Sequence, residues 1–175
     1  MREINKSDLV KYTVVQDYPK EGVNFVDFTP TINNVVAFQD MVAALIYNST
    51  LDYDYVIAPE ARGFIWGTAV AFQTKKPLLI ARKPGKIPPT LVGASVTYDT
   101  EYSKDTLELE KIDLTGKKVV YIDDVFATGG TYKACKELVK QLGGNLEEGV
   151  VLYNVGITDN EEVETVFQRG DLILC

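Results

Sequence analysis

Apolar residues recur along this chain in two rhythms, one helical and one nearly continuous. In "INNVVAFQDMVAALIYN", Val35, Val36, Phe38, Val42, Leu45 and Ile46 fall at mostly helical spacing, and Asn33 or Asn34 is placed to cap the start. "YDYVIAPEARG" follows as a short apolar strand running into a turn, "GFIWGTAVAFQ" reads as a helix and "KPLLIARK" as a strand. "KKVVYIDD" predicts a further strand. It leads into the helix "TYKACKELVKQLGG", with Tyr132, Cys135, Leu138, Val139 and Leu142 on one side and glycines at the stop, and then into the strand-like "EGVVLYNVG". Near-continuous apolar strands alternating with amphipathic helices predict a parallel sheet covered on both faces, an α/β architecture. In such sheets ligands collect beyond the carboxyl ends of the strands. Leu91 to Lys111 breaks the rhythm, because "SVTYDTEYSKDTLELEK" alternates apolar and polar residues around a polar centre, as an exposed antiparallel ribbon does. That ribbon is expected to act as a lid.

Composition sharpens the setting. With 175 residues, 46% of them apolar, and no repeat or linker, the expectation is one domain spanning 1-175. A formal charge of -7 argues against sequence-independent nucleic-acid binding, which relies on excess Lys and Arg. An anionic ligand would therefore be held by local groups. No window approaches the roughly 18 apolar residues of a membrane helix, and "MREINKSDLVKY" has no signal-peptide core, so a cytoplasmic location without membrane contact is expected. The two cysteines, Cys135 and Cys175, have no metal-site spacing, and the chain contains no histidine. Zinc sites and Cys/His catalysis drop out, leaving acid and base work to carboxylates, lysines or tyrosines.

Useful chemistry sits at three expected strand ends: "PEARG", "ARKPGK" and "DDVFATGGT". Gly129 and Gly130 permit a tight turn, so backbone N-H groups from Ala127 to Thr131 can converge on an anion at a helix start, with the Thr128 and Thr131 hydroxyls adding donors. The run lacks both the Walker pattern and the dinucleotide fingerprint. Asp123 and Asp124 would repel a polyphosphate, yet they accept hydrogen bonds from a diol and can help hold a hydrated Mg²⁺. A ribose 5-phosphate satisfies both halves of the motif.

"VVYIDDVFATGGT" resembles the phosphoribosyl-pyrophosphate motif of the type I phosphoribosyltransferases. Together with "DYPKEGVNFVDFTP", "DYVIAPEARGFIWG", "LIARKPGKIP" and "DTEYSKDTLELEK", in that order, it makes nearly the whole chain similar to the adenine branch of that family. The resemblance implies the family's parallel-sheet fold, with residues 91-111 as a flexible lid and 1-34 partly forming a hood over the base. It implies that Asp123 and Asp124 bind the ribose hydroxyls, and Ala127, Thr128, Gly129, Gly130 and Thr131 the 5-phosphate. Glu60, Ala61, Arg62 and Gly63 match the pyrophosphate loop, whose first peptide is often cis. Arg82, Lys83, Lys86 and Tyr102 would join them at pyrophosphate. Adenine would meet Asn24, Phe25 and Val26, with Phe25 stacking on the purine and Val155 packing on its other side. Val26 stands where many relatives carry Arg, which leaves the main chain as the contact. Glu101, with Arg62, is implied in catalysis, Glu101 as the acid/base near purine N7. Ser103 replaces the family's common Gly in the lid.

The expected activity is a Mg²⁺-dependent transfer that makes AMP and pyrophosphate from adenine and 5-phosphoribosyl 1-pyrophosphate, in a homodimer. The rivals are transfer to another purine, such as xanthine or hypoxanthine, and a ligand-sensing regulator that keeps the fold without catalysis. Against the second, no extra domain is expected and no basic stretch is longer than a turn.

Overall fold

The computed structural model describes residues 10-18, 21, 25-49, 52-99, 104-156, 161-168 and 171. Five strands form a parallel sheet in the order β4-β3-β7-β8-β9: β3 (Tyr55–Pro59), β4 (Leu78–Ala81), β7 (Lys118–Phe126), β8 (Asn145–Asn154) and β9 (Val163–Phe167). The chain steps from β3 to β4 on one side and returns to β7 on the other. The crevice between the ends of β3 and β7 is thus a topological switch point, where open α/β sheets bind ligands.

Alternation along β7 divides the core in two. Val120 and Ile122 join Leu45, Trp66, Val70 and Phe28 on the face covered by α2 (Val35–Asn48) and α3 (Gly63–Thr74). Val119 and Tyr121 join Tyr132, Cys135 and Leu138 on the face covered by α4 (Gly130–Gln141). Asn34 caps α2, its side chain accepting from the N-H groups of Val36 and Ala37. Gly149 of β8 lies opposite Tyr121, and a Cβ there would stand 3.0 Å from Tyr132 Cε2 and 3.2 Å from Tyr121 Cδ1. Its missing side chain makes room for the edge-to-face pair of Tyr121 and Tyr132, whose ring centroids are 5.4 Å apart.

The expected ribbon is present as β5 (Val92–Asp99) paired antiparallel with β6 (Lys104–Glu110); the lid residues Glu101, Tyr102 and Ser103 lie outside the described residues. Four elements went unread in the sequence. β1 (Thr13–Val15) and β2 (Phe25–Asp27) pair as a small antiparallel sheet ahead of the short helix α1 (Thr29–Ile32), and β9 closes the far edge of the main sheet. Runs of three to five residues carry too little periodicity to announce themselves.

Candidate active site

Four loops at the carboxyl end of the sheet carry the expected residues. After β3, the Glu60-Ala61 peptide is cis, and α3 starts at Gly63. A Cβ on Gly63 would lie 2.6 Å from the Pro59 ring and 2.9 Å from Asp123 Oδ1, so only glycine lets this helix start approach both strand ends. After β7, Gly129 has φ of +77°, the left-handed region that glycine adopts without steric cost, and Gly130 opens α4. The N-H groups at this helix start make a natural anion cradle. The ribbon lies directly over it: a Cβ on Gly130 would come within 2.5 Å of the Asp99 carbonyl.

Asp123 and Asp124 are 8% and 3% exposed, respectively. Asp123 Oδ2 accepts from the Tyr121 hydroxyl at 2.6 Å and its Oδ1 from the Asp124 N-H at 2.9 Å. Asp124 Oδ2 pairs with Arg62 Nε at 3.0 Å. Burial pushes the Asp123 carboxyl well up, and the Asp124 charge adds to this, while the bonds from Tyr121 and the Asp124 N-H and the charge of Arg62 oppose it. Burial also raises Asp124, against the pull of Arg62. Tyr121 is raised by burial and then by Asp123, which keeps its phenol protonated and donating.

Arg62 reaches further than its place in the loop indicates. Its guanidinium lies 4.6 Å from the Phe25 ring centroid, and Nη1 donates to the Val26 carbonyl at 3.3 Å. One side chain therefore spans from Asp124 to the segment expected to receive the base. Phe25 is half-buried against Tyr18, and the Val26 side chain is in the core, so its main chain is the part turned to the site. Val155 follows β8, its N-H donating to the Phe126 carbonyl, and packs at the edge of the same core. Asn24 lies outside the described residues.

The basic turn after β4 is held by internal partners. Arg82 Nε stands 3.8 Å from Glu60 Oε2, its Nη1 donates to the Lys86 carbonyl, and the Lys83 N-H donates to Glu60 Oε2 at 2.9 Å. Lys83 Nζ pairs with Asp105 of β6, and Lys86 is exposed. Burial lowers the Lys83 pKa, with Glu60 opposing. Tyr121 and Asp105 are the partners that the sequence reading missed. The first had a signal, since residues two apart in a strand share a face; Asp105 had none, because its partner is 22 residues away.

Asp123 and Asp124 offer hard carboxylate oxygens, and among the described residues no group of three or more His, Cys, Asp or Glu could hold a metal ion. Those oxygens suit a hydrated Mg²⁺, which Asp123 and Asp124 would help hold mostly through substrate and water.

A family model described as the phosphoribosyl transferase domain matches residues 31–168. The adenine phosphoribosyltransferase of Rubrobacter xylanophilus is 41% identical over 85% of this chain and 80% of its own length. The crystal structure of adenine phosphoribosyltransferase from Thermoanaerobacter pseudethanolicus superposes with a TM-score of 0.81 at 32% identity, covering 91% of this chain and 95% of that one. The Saccharomyces cerevisiae enzyme, complexed with an imino-altritol bisphosphate and adenine, does so at 0.78 and 30% identity over 89% of this chain and 94% of that one. With the carboxylate pair, the glycine turn and the cis-peptide loop at one switch point, these likenesses establish that the chain belongs to the adenine phosphoribosyltransferase family.

Proposed function

We propose that this protein converts adenine and 5-phosphoribosyl 1-pyrophosphate to AMP and pyrophosphate. The observation that carries the reading is the convergence, at one switch point, of Asp123 and Asp124, the Gly129-Gly130 helix start and the Arg62 bridge to Phe25 and Val26. The aspartates accept from the ribose hydroxyls, while the N-H groups of Ala127 to Thr131 and the two threonine hydroxyls hold the 5-phosphate. Glu60, Ala61, Arg62 and Gly63, with Arg82, Lys83, Lys86 and Tyr102, bind the pyrophosphate group. Mg²⁺, held by that group, water and the two aspartates, would neutralise the leaving charge.

The base lies on Phe25 beneath Val155. An acceptor at N1 and an amino donor at N6 suit one N-H and one C=O from Asn24 to Val26. Hypoxanthine and guanine reverse that pattern, leaving buried groups mismatched at about 1 to 3 kcal/mol each. As the bond from ribosyl C1 to the pyrophosphate oxygen breaks, the purine N9 bonds to C1 from the opposite face, and the proton released by the imidazole ring passes to Glu101. Such proton transfer contributes about 10² to 10⁴ in rate. The lid formed by 91-111 excludes water, and the protein acts as a cytoplasmic homodimer.

Pyrophosphate release measured separately with adenine, hypoxanthine, guanine and xanthine tests this directly. Adenine is expected to be turned over fastest, and Glu101→Gln to slow it about 10²-fold or more. Preference for another base would reassign the substrate, and no turnover with any would leave a binding protein.

A further inference from the structure

Tyr121 stands among apolar residues in the middle of the largely buried β7, 2% exposed, yet it carries a hydroxyl that needs a partner. That partner is Asp123, two residues on and on the same face of β7. The bond is 2.6 Å long, in the range of a charge-assisted O-H to carboxylate contact. With the Asp124 N-H on Oδ1, it gives each Asp123 oxygen a donor from the protein and so fixes both the position and the plane of the carboxylate. The ring that places the hydroxyl is itself held. Tyr132 packs edge-to-face on it, and Gly149, directly opposite on β8, leaves the space it occupies. A phenylalanine at 121 would fill the same space and offer Asp123 nothing.

We propose that Tyr121 is a positioning residue for the phosphoribosyl substrate, its hydroxyl holding the Asp123 carboxylate in the orientation that receives the ribose hydroxyls. This inference rests on the reading of the site under Proposed function. Tyr121 does not touch substrate; it acts through Asp123. Its removal therefore bears on binding of the sugar and leaves binding of the base alone. Tyr132 supplies the control, because its hydroxyl donates to Glu162 at 3.1 Å, away from the carboxylates, while its ring belongs to the same aromatic pair.

The test compares wild type, Tyr121→Phe and Tyr132→Phe by steady-state kinetics with each substrate varied in turn, alongside thermal melting. Tyr121→Phe is expected to raise the KM for 5-phosphoribosyl 1-pyrophosphate by roughly tenfold to 150-fold, the range for one hydrogen bond to a buried charge, with the adenine KM changed less than about twofold. Tyr132→Phe is expected to leave both KM values near wild type, whatever it does to the melting temperature. The inference is overturned if Tyr121→Phe leaves the sugar KM within about twofold of wild type, if both KM values rise together, or if Tyr132→Phe reproduces the effect. A wild-type chain that neither turns over nor binds 5-phosphoribosyl 1-pyrophosphate overturns the reading of the site itself.

Discussion

Arg62 and Asp124 show how one residue pair links two halves of a site. Asp124 is almost wholly buried, so its carboxylate needs a partner, and Arg62 Nε at 3.0 Å supplies it. The same guanidinium covers Phe25 and donates to the Val26 carbonyl. Asp124→Asn keeps the size of the side chain and an acceptor oxygen but loses the charge. Isothermal titration should show 5-phosphoribosyl 1-pyrophosphate binding weakened about tenfold or more, a charged hydrogen bond being replaced by a neutral one, with adenine binding changed less than about threefold. Equal losses for both ligands would mean that Arg62 had moved and disturbed the base segment as well. The aspartates and the glycine turn were legible in the sequence because they are adjacent in it. The reach of Arg62 to Val26 was not, since 36 residues separate the two.

At the scale of elements, α4 both supplies the helix start at the phosphate cradle and is tied to the sheet by side chains on its inner face. Tyr132 and Lys136, four residues apart on one face, both donate to Glu162 in the turn before β9, at 3.1 and 2.6 Å. These bonds hold the Glu162 carboxyl below its ordinary value of 4.5, the Lys136 bond contributing most. A carboxyl depressed in the folded protein adds stability that is fully present above its unfolded pKa and is lost as pH falls through the folded value. Glu162→Gln should therefore cost up to about 1 kcal/mol at pH 7 in urea unfolding, as expected for a half-exposed pair. The difference from wild type should shrink below pH 4.5, and a difference that stayed constant at acid pH would count against the ion pair as its source.

For the whole molecule, the outer surface of α2 and α3 is the feature that bears on the proposed homodimer. Tyr47 and Phe72 are 87% and 84% exposed, and Val35, Val36 and Ile65 are exposed as well. Exposed apolar side chains of this size on two helices suit the proposed homodimer, with a second copy of the chain as the occupant. Because α3 begins at Gly63, an interface on it would buttress the helix whose start approaches Asp123. Sedimentation equilibrium should give twice the chain mass for wild type and the chain mass for the double variant Tyr47→Glu with Phe72→Glu. A wild-type monomer at micromolar concentration would sink the homodimer.

By itself the sequence determined the alternation of buried strands and amphipathic helices, and which strand ends bear carboxylates, glycines and cations. Hydrophobic periodicity and turn chemistry are properties of one segment and survive without knowledge of its neighbours. The tertiary structure decided what each of those groups faces. Strand order β4-β3-β7 superimposes the ends of β3 and β7, bringing Arg62 to Asp124, and the ribbon brings Asp105 to Lys83. Such partners depend on which strand ends the topology places side by side, and no local pattern carries that information.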